Sequence, residues 1–197
     1  VALLHCITAY PAPAEQYNLR LIPLLGSLFG TVVGVSDHSR HPYLVPMLAV
    51  SRGARIIEKH LTLAHQGNGL DDPIALEPDE FRLMVKKVRA AETQPLNTTV
   101  DAACEEFGVK LVESVLGTGI KKMASAEAPF YYTTNRSIVA RSDLNPGDYL
   151  TRNNVALLRA EQQRIPGLQP HFLPILMGRK ISKRVAAGSG ITLDHLL

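Results

Sequence analysis

Three times in its first 92 residues the chain repeats one unit, a short apolar run followed by a helical pattern. Residues 1–7 read as a strand, leading through the proline-marked loop Tyr10-Pro11-Ala12-Pro13 into an apolar helix over 18–29. Residues 31–36 are rich in β-branched side chains and do not alternate, the pattern of a strand buried on both faces. A helix follows with Pro42 near its start and runs to Arg52, where Gly53 stops it. Pro46, inside that pattern, is expected to distort its first turns. Residues 54–63 form the third strand, and 78–92 an amphipathic helix with Phe81, Met84, Val85 and Val88 on one face. Strand–helix units at this spacing mean a parallel sheet with right-handed crossovers. Three units do not close an eight-stranded barrel. The sheet is therefore either small and open or continued by strands outside these residues. The first apolar run has no lead-in and no initiator Met, so the chain is expected to begin in the middle of a domain.

Beyond Gln94 the pattern changes. Residues 100–116 form one helix-like stretch ending at Gly117-Thr118-Gly119, and small and polar residues then lead to Pro129-Phe130-Tyr131-Tyr132. That segment reads as a linker with a domain boundary near Tyr132, its aromatics serving packing rather than recognition. From Asn135 onward short runs alternate with the turns Asn145-Pro146-Gly147-Asp148, Pro166-Gly167 and Gly188-Ser189-Gly190, which reads as a β-rich unit. The expected organisation is a strand–helix domain over 1–116, a linker over 117–134 and a small domain over 135–197.

Composition excludes several classes. With 46% hydrophobic and 20% charged residues the chain is globular rather than disordered. The net charge of +3 is spread out, with only pairs such as Lys86-Lys87 and Lys121-Lys122, so nucleic acid is not an expected partner. No apolar run is long enough to span a bilayer, and the start lacks the basic region and cleavage site of a signal peptide. Cys6 and Cys104 lie far apart and form no metal-binding spacing, which suits a reduced, cytoplasmic protein.

Along a strand, residues two apart share a face. Ser36 and His38 therefore point one way with Asp37 opposite, and Glu58 and His60 point one way with Lys59 opposite. Both pairs fall at C-terminal strand ends, the rim where parallel barrels carry catalytic residues. Two imidazoles from neighbouring strand ends can share one divalent cation, with water or substrate in the other positions. A plainer reading makes each histidine a hydrogen-bonded plug of the sheet interior. His5 also ends a strand, and spacing alone does not separate the three histidines.

Leu3-Leu4-His5-Cys6 with the Tyr10-Pro11-Ala12-Pro13 loop, Gly34-Val35-Ser36-Asp37-His38-Ser39 and Ile56-Ile57-Glu58-Lys59-His60-Leu61-Thr62-Leu63 resemble successive strand-end motifs of the N-acetylneuraminate (sialic acid) synthase family. Asp71 and Leu76-Glu77-Pro78 are similar to the loop and helix start after that family's last barrel strand. Asn135-Arg136-Ser137-Ile138-Val139-Ala140, residues 144–150 and Arg159 are similar to its antifreeze-like (SAF) domain. The resemblance implies an α/β fold, the C-terminal part of a (β/α)8 TIM barrel followed by a small β-rich antifreeze-like (β-clip) domain. It implies a transferase that condenses phosphoenolpyruvate with an N-acylated mannosamine-type sugar to a nonulosonic acid, releasing phosphate. The divalent metal is expected to be Mn2+, with Mg2+ or Co2+ as alternatives. Residue by residue, His38 and His60 match the metal ligands, and Ser36 matches a position near the phosphoenolpyruvate phosphate. Tyr10 and Asp71 match sugar-contacting positions. Thr8 stands at a substrate-binding position where the family often has Asn. Glu58 is expected in the barrel interior as a catalytic partner of metal or substrate, and His5 as structural. Arg159 matches an arginine that, in a domain-exchanged homodimer, reaches the neighbouring subunit's site and holds the sugar's N-acyl group.

The loop Gly69-Leu70-Asp71-Asp72 and Thr133, at a position where some members carry an aromatic residue, depart from the family pattern. Sialic, legionaminic, pseudaminic and spore-coat-type sugars all stay open. The lysines with which the family grips phosphoenolpyruvate lie in earlier barrel strands, so these 197 residues alone are expected to be inactive. Two other readings stand beside the synthase: a carbohydrate- or ice-binding module in the small domain, and another metal-dependent aldolase. Arg136, Arg141, Arg152 and Arg159 charge the small domain's surface, which disfavours ice. Strand-end lysines upstream would favour phosphoenolpyruvate over other aldol chemistry.

Overall fold

A computed structural model describes residues 1–159 and 165–196; residues 160–164 and Leu197, and the side chains of Tyr132 and Thr133, lie outside the description. The chain divides into two units, Val1–Ala128 and Pro129–Leu197. In the first, β1 (Ala2–Cys6), β2 (Val32–Asp37) and β3 (Ile57–Lys59) form a parallel sheet in that order. Its helix-facing side packs Val33 and Val35 against Ile22 of α1 (Leu21–Phe29) and Leu44, Val45 and Leu48 of α2 (Leu44–Ser51). The third strand is shorter than the apolar run suggests. β2 ends at Asp37, the register partner of Lys59, so beyond Lys59 no neighbour remains on that side. The chain bonds instead to the segment around Leu76, through Thr62 N–H to the Leu76 carbonyl and Leu76 N–H to the His60 carbonyl, both at 2.9 Å.

Local chemistry sets the helix starts. His41 Nδ1 accepts the backbone N–H groups of Tyr43 and Leu44 at 3.4 and 3.1 Å, serving as the acceptor that opens α2. Pro46 falls in the first turn, where N–H groups have no intrahelical partner, and the helix accommodates it rather than being distorted. α3 (Pro78–Thr93) begins with a reciprocal capping box between Glu77 and Glu80 and Pro78 at its first position. The stretch expected as one helix over 100–116 is two, α4 (Leu96–Phe107) and α5 (Val109–Leu116), because Gly108 adopts φ +86 and breaks it. α5 buries Val112, Val115 and Leu116 at helical spacing. Residues 117–127, read from the sequence as linker, are fastened to the loop after β1. Asn18 accepts Gly119 N–H and donates to the Ile120 carbonyl, Gln16 accepts Ala126 N–H, and Glu127 accepts Thr8 N–H.

The second unit pairs β4 (Arg136–Ala140) with β5 (Val155–Arg159) antiparallel. It buries its own cluster, including Ile138, Leu144, Leu150, Leu176, Ile181 and Ile191. No described helix is long and apolar enough to cross a membrane.

Gly34 lets the strands of the parallel sheet approach closely. A Cβ there would stand 2.3 Å from the Ile56 carbonyl oxygen and 2.7 Å from Leu4 Cδ2. Gly34→Ala must push β3 off β2, at a cost of about 1–3 kcal/mol by analogy with overpacked cores. A urea unfolding midpoint equal to that of the unaltered chain would contradict this close approach.

Candidate functional site

Register builds the site. Cys6 pairs with Ser36, Ser36 with Glu58 and Asp37 with Lys59. Because faces alternate, Cys6, Ser36 and Glu58 form one cross-strand row, and Asp37 and Lys59 lie on the side turned to the helices. His38 and His60 each follow the last residue of their strand and share the face of Ser36 and Glu58. Their ring centroids are 5.3 Å apart. The Ser36 hydroxyl donates to Glu58 Oε1 at 2.6 Å and lies 3.2 Å from His38 Nε2. Ser36, His38, Glu58, Lys59 and His60 line a hollow of 110 Å³. A larger hollow of 630 Å³, beside Asn18, Arg20, Glu113 and Lys122, contains none of the residues singled out from the sequence.

His38 is held on every side and is only 6% exposed. Its Nδ1 lies 3.0 Å from the Ile7 carbonyl, which only accepts, so Nδ1 carries the proton and Nε2 the lone pair. Tyr10 stacks on the ring at 4.2 Å and 24°, its hydroxyl 3.3 Å from Nε2. The His38 backbone N–H donates to the Tyr17 hydroxyl at 2.7 Å. Burial, with the charge of His60 adding to it, pushes the His38 pKa below its ordinary value, and the Ile7 bond opposes this only in part. The imidazole is thereby biased toward its neutral form, the one in which a histidine can bind a metal.

His60 is more open. Its Nδ1 lies 3.6 Å from Asp71 Oδ2, and Tyr10 meets its ring edge-on at 5.9 Å. The neighbouring Asp72 turns away to close its own loop, accepting Gly69 N–H and the Thr62 hydroxyl at 2.8 Å each. Of the two adjacent carboxylates, Asp71 is the one at the histidine pair. Among the described residues no three His, Cys, Asp or Glu side chains gather as a complete metal-ligand set. What they offer is two imidazoles, with further positions left to other donors.

A model of the NeuB family matches residues 1–99, half of the chain, and a model of the SAF domain matches residues 135–197. The chain belongs to the NeuB family. It is 34% identical to the spore coat polysaccharide biosynthesis protein SpsE of Bacillus subtilis, covering 100% of this chain and 51% of that protein. It is 32% identical to the N,N'-diacetyllegionaminic acid synthase of Legionella pneumophila, over 100% and 48% of the two chains. With a pseudaminic acid synthase of Campylobacter jejuni the identity is 34%, over 95% and 47%. The crystal structure of Bacillus subtilis SpsE superposes with a TM-score of 0.78 at 35% identity, covering all of this chain and 53% of that one. The chain thus spans about half the length of the relatives it matches.

In this NeuB-family chain the structure brings Tyr10, Ser36, His38, Glu58, His60 and Asp71 together. Thr8 lies nearby on the loop after β1, its N–H held at 2.9 Å by Glu127. Arg159 is exposed at the end of β5 in the second unit. His5 is turned to the helix side, its ring N–H donated to the Tyr17 carbonyl. Sequence reasoning missed Tyr17, fully buried and bonded to both His5 and His38, because nothing in its spacing marks it. It also missed the Asp37–Lys59 ion pair, 2.8 Å long with side chains 0% and 1% exposed. A signal existed there, since two opposite charges each sit one residue before a rim histidine.

Burial lowers the pKa of both His5 and His41, and the Lys59 ammonium lowers that of His41 further. The unfolded chain takes up these protons near pH 6.5 while the folded chain resists, so their stability contribution is intact above about pH 6.5 and is lost as the pH falls through the folded values. The urea midpoint should therefore drop between about pH 7.5 and about pH 5.5. His41→Asn, which removes one such group, should shrink the drop; an unchanged pH dependence would exclude His41 from it.

Proposed function

We propose that this chain supplies the C-terminal part of a (β/α)8 barrel and the small C-terminal domain of a nonulosonate synthase. Such an enzyme condenses phosphoenolpyruvate with an N-acylated mannosamine-type sugar and releases phosphate. One observation carries the reading: two imidazoles from adjacent parallel strand ends face each other at 5.3 Å, and the inner one carries an unprotonated Nε2 whose hydrogen-bond donor, the Tyr10 hydroxyl at 3.3 Å, an ion would displace. Two imidazoles bound to one ion through bonds of about 2 Å have centroids about 5 Å apart, so the donor pair fits a divalent cation. His38 Nε2 and a ring nitrogen of His60 would hold it, with Mn2+ the first choice and Mg2+ or Co2+ the alternatives. Bound there, the ion supplies Lewis acidity toward the aldehyde of the open-chain sugar.

The other side chains have roles that follow from their chemistry. Tyr10 and Asp71 orient the sugar hydroxyls at the open side of the histidine pair, and Thr8 extends that edge. When phosphoenolpyruvate binds, the Ser36 hydroxyl would turn its one proton from Glu58 to an anionic oxygen of that substrate. In the reaction the methylene carbon of phosphoenolpyruvate attacks the aldehyde carbon, whose oxygen takes up a proton. Water adds to the cationic carbon left behind, and the bond from that carbon to the phosphate oxygen breaks as the ketone forms and phosphate departs. Glu58, beside Ser36, is the carboxylate placed to take the proton of that water. Much of the acceleration comes from holding the scarce open-chain sugar in line.

Apolar surface supports the barrel. Leu28 and Phe29 of α1 are 69% and 60% exposed, and Val32 and Ile56 are bare on the sheet face opposite the helices. Further strand–helix units outside these 197 residues would cover both, in a reduced, cytoplasmic enzyme that suits the free Cys6 and Cys104. The Arg159 side chain, without a hydrogen bond or ion pair among the described residues, would serve the site of a partner subunit in a domain-exchanged homodimer, its planar donors on the N-acyl carbonyl.

Calorimetric titration with Mn2+ should show one bound ion, with His38→Ala or His60→Ala weakening it at least about tenfold. Wild-type affinity in both variants would remove the histidines from the metal site. In the complete enzyme, phosphate release should depend on the sugar and vanish in His38→Ala. For Arg159, inactive Arg159→Ala and His38→Ala subunits should regain activity when mixed, since one site per heterodimer is then intact. Heterodimers that form but stay inactive would refute action across subunits.

A further inference from the structure

We infer that Asp37 and Lys59, on the far side of the sheet from the chemistry, act as a brace that positions the His38 imidazole. The inference rests on the reading of His38 and His60 as a ligand pair. Lys59 Nζ donates to Asp37 Oδ2 at 2.8 Å, to the Ser39 carbonyl, and to the His41 carbonyl at 3.2 Å. Three acceptors match the three protons of an ammonium, so its donors are filled. Asp37 Oδ1 accepts the Ser39 N–H at 2.8 Å. The turn that carries His38 is thus tied on both sides of the histidine to a residue of the neighbouring strand. Lys59 immediately precedes His60 and Asp37 immediately precedes His38, so the brace joins the two ligand-bearing segments at one level.

Stability alone does not explain an ion pair here. Buried pairs exchanged for well-packed apolar residues are often neutral or stabilising, because desolvation offsets their attraction. An apolar pair cannot hold the Ser39 and His41 carbonyls or the Ser39 N–H, and those bonds set the course of the turn. Asp37 and Lys59 are therefore positioning residues, acting through the backbone on a ring they do not touch.

The decisive variant is Asp37→Leu with Lys59→Met, which removes both charges together and so strands no buried ion, while the Ser39 and His41 backbone groups lose these partners. Below its melting temperature, where circular dichroism shows it folded, it should bind Mn2+ at least about tenfold more weakly, with an altered visible spectrum when Co2+ is bound. A folded double variant that binds Mn2+ and absorbs with Co2+ like wild type overturns the brace. Amide exchange on the unaltered, metal-free chain tests it without mutation. The Ser39 amide should already be protected, and protection that arises only on adding Mn2+ would show that the ion organises the turn and would overturn the inference. Failure of the underlying ligand reading looks different: the wild-type chain itself then binds no Mn2+.

Discussion

The pairing register between β2 and β3 decides everything that follows in the first unit. Side chains alternate, so a slip of one residue would turn Glu58 toward the helices and Lys59 toward the rim. The hydrophobic pattern of a three-residue strand is too short to forbid that slip by itself. The buried Asp37–Lys59 pair forbids it, since stranding either charge without its partner costs about 3–5 kcal/mol. The same pair contributes little net stability when intact. Its effect is on which arrangement forms rather than on how firmly the domain holds, and the two imidazoles face each other because of it.

Much of this was legible in the sequence because it depends on period and position. Three apolar runs separated by helical patterns gave a parallel sheet, and a period of two put Ser36 with His38 and Glu58 with His60. The misread parts turn on features that a residue's own neighbourhood does not encode. β3 stops where β2 runs out, a fact about the partner strand rather than about residues 54–63. Gly108 sits inside a convincing helical pattern and breaks it through backbone conformation alone. Tyr17 lies on a loop with no periodicity, yet it bonds to the backbone of His38 and the ring of His5, across sequence separations of 21 and 12 residues. Long-range hydrogen bonds of this kind leave no local trace. The tautomer of His38 is equally invisible in sequence, because it is set by the carbonyl of Ile7, 31 residues away.

In the second unit, Arg136 and Arg159 stand directly opposite each other at one end of the β4–β5 ladder. Like charges in that relation work against the pairing by up to about 1 kcal/mol. Neither has an acidic partner among the described residues, and both are exposed. A fold tolerates such an arrangement at small cost when solvent screens it, so the pair does not report a need of the unit's own stability. It leaves two guanidinium groups at one strand end for something outside the unit, which agrees with the role proposed for Arg159.

Charge also divides the proposed reaction between parts of the enzyme. Around the histidine pair the ionisable carboxylates are Glu58 and Asp71, and the nearby cation, Lys59, is spent on Asp37 on the other side of the sheet. A phosphate ester brought within about 4 Å of an uncompensated carboxylate is repelled by about 4 kcal/mol per unit charge at the effective dielectric of a protein surface. One divalent cation offsets two such charges, which is about what the two carboxylates already present. The proposed sugar is neutral near its aldehyde and needs only hydroxyl and carboxylate partners, which Tyr10 and Asp71 would provide. On the proposed reading, the described half is therefore built for the aldehyde, and Ser36 touches only the edge of the phosphoenolpyruvate. On the same reading, the cations that neutralise its phosphate would come from strands that complete the barrel, and the carbon–carbon bond would form where the two halves meet.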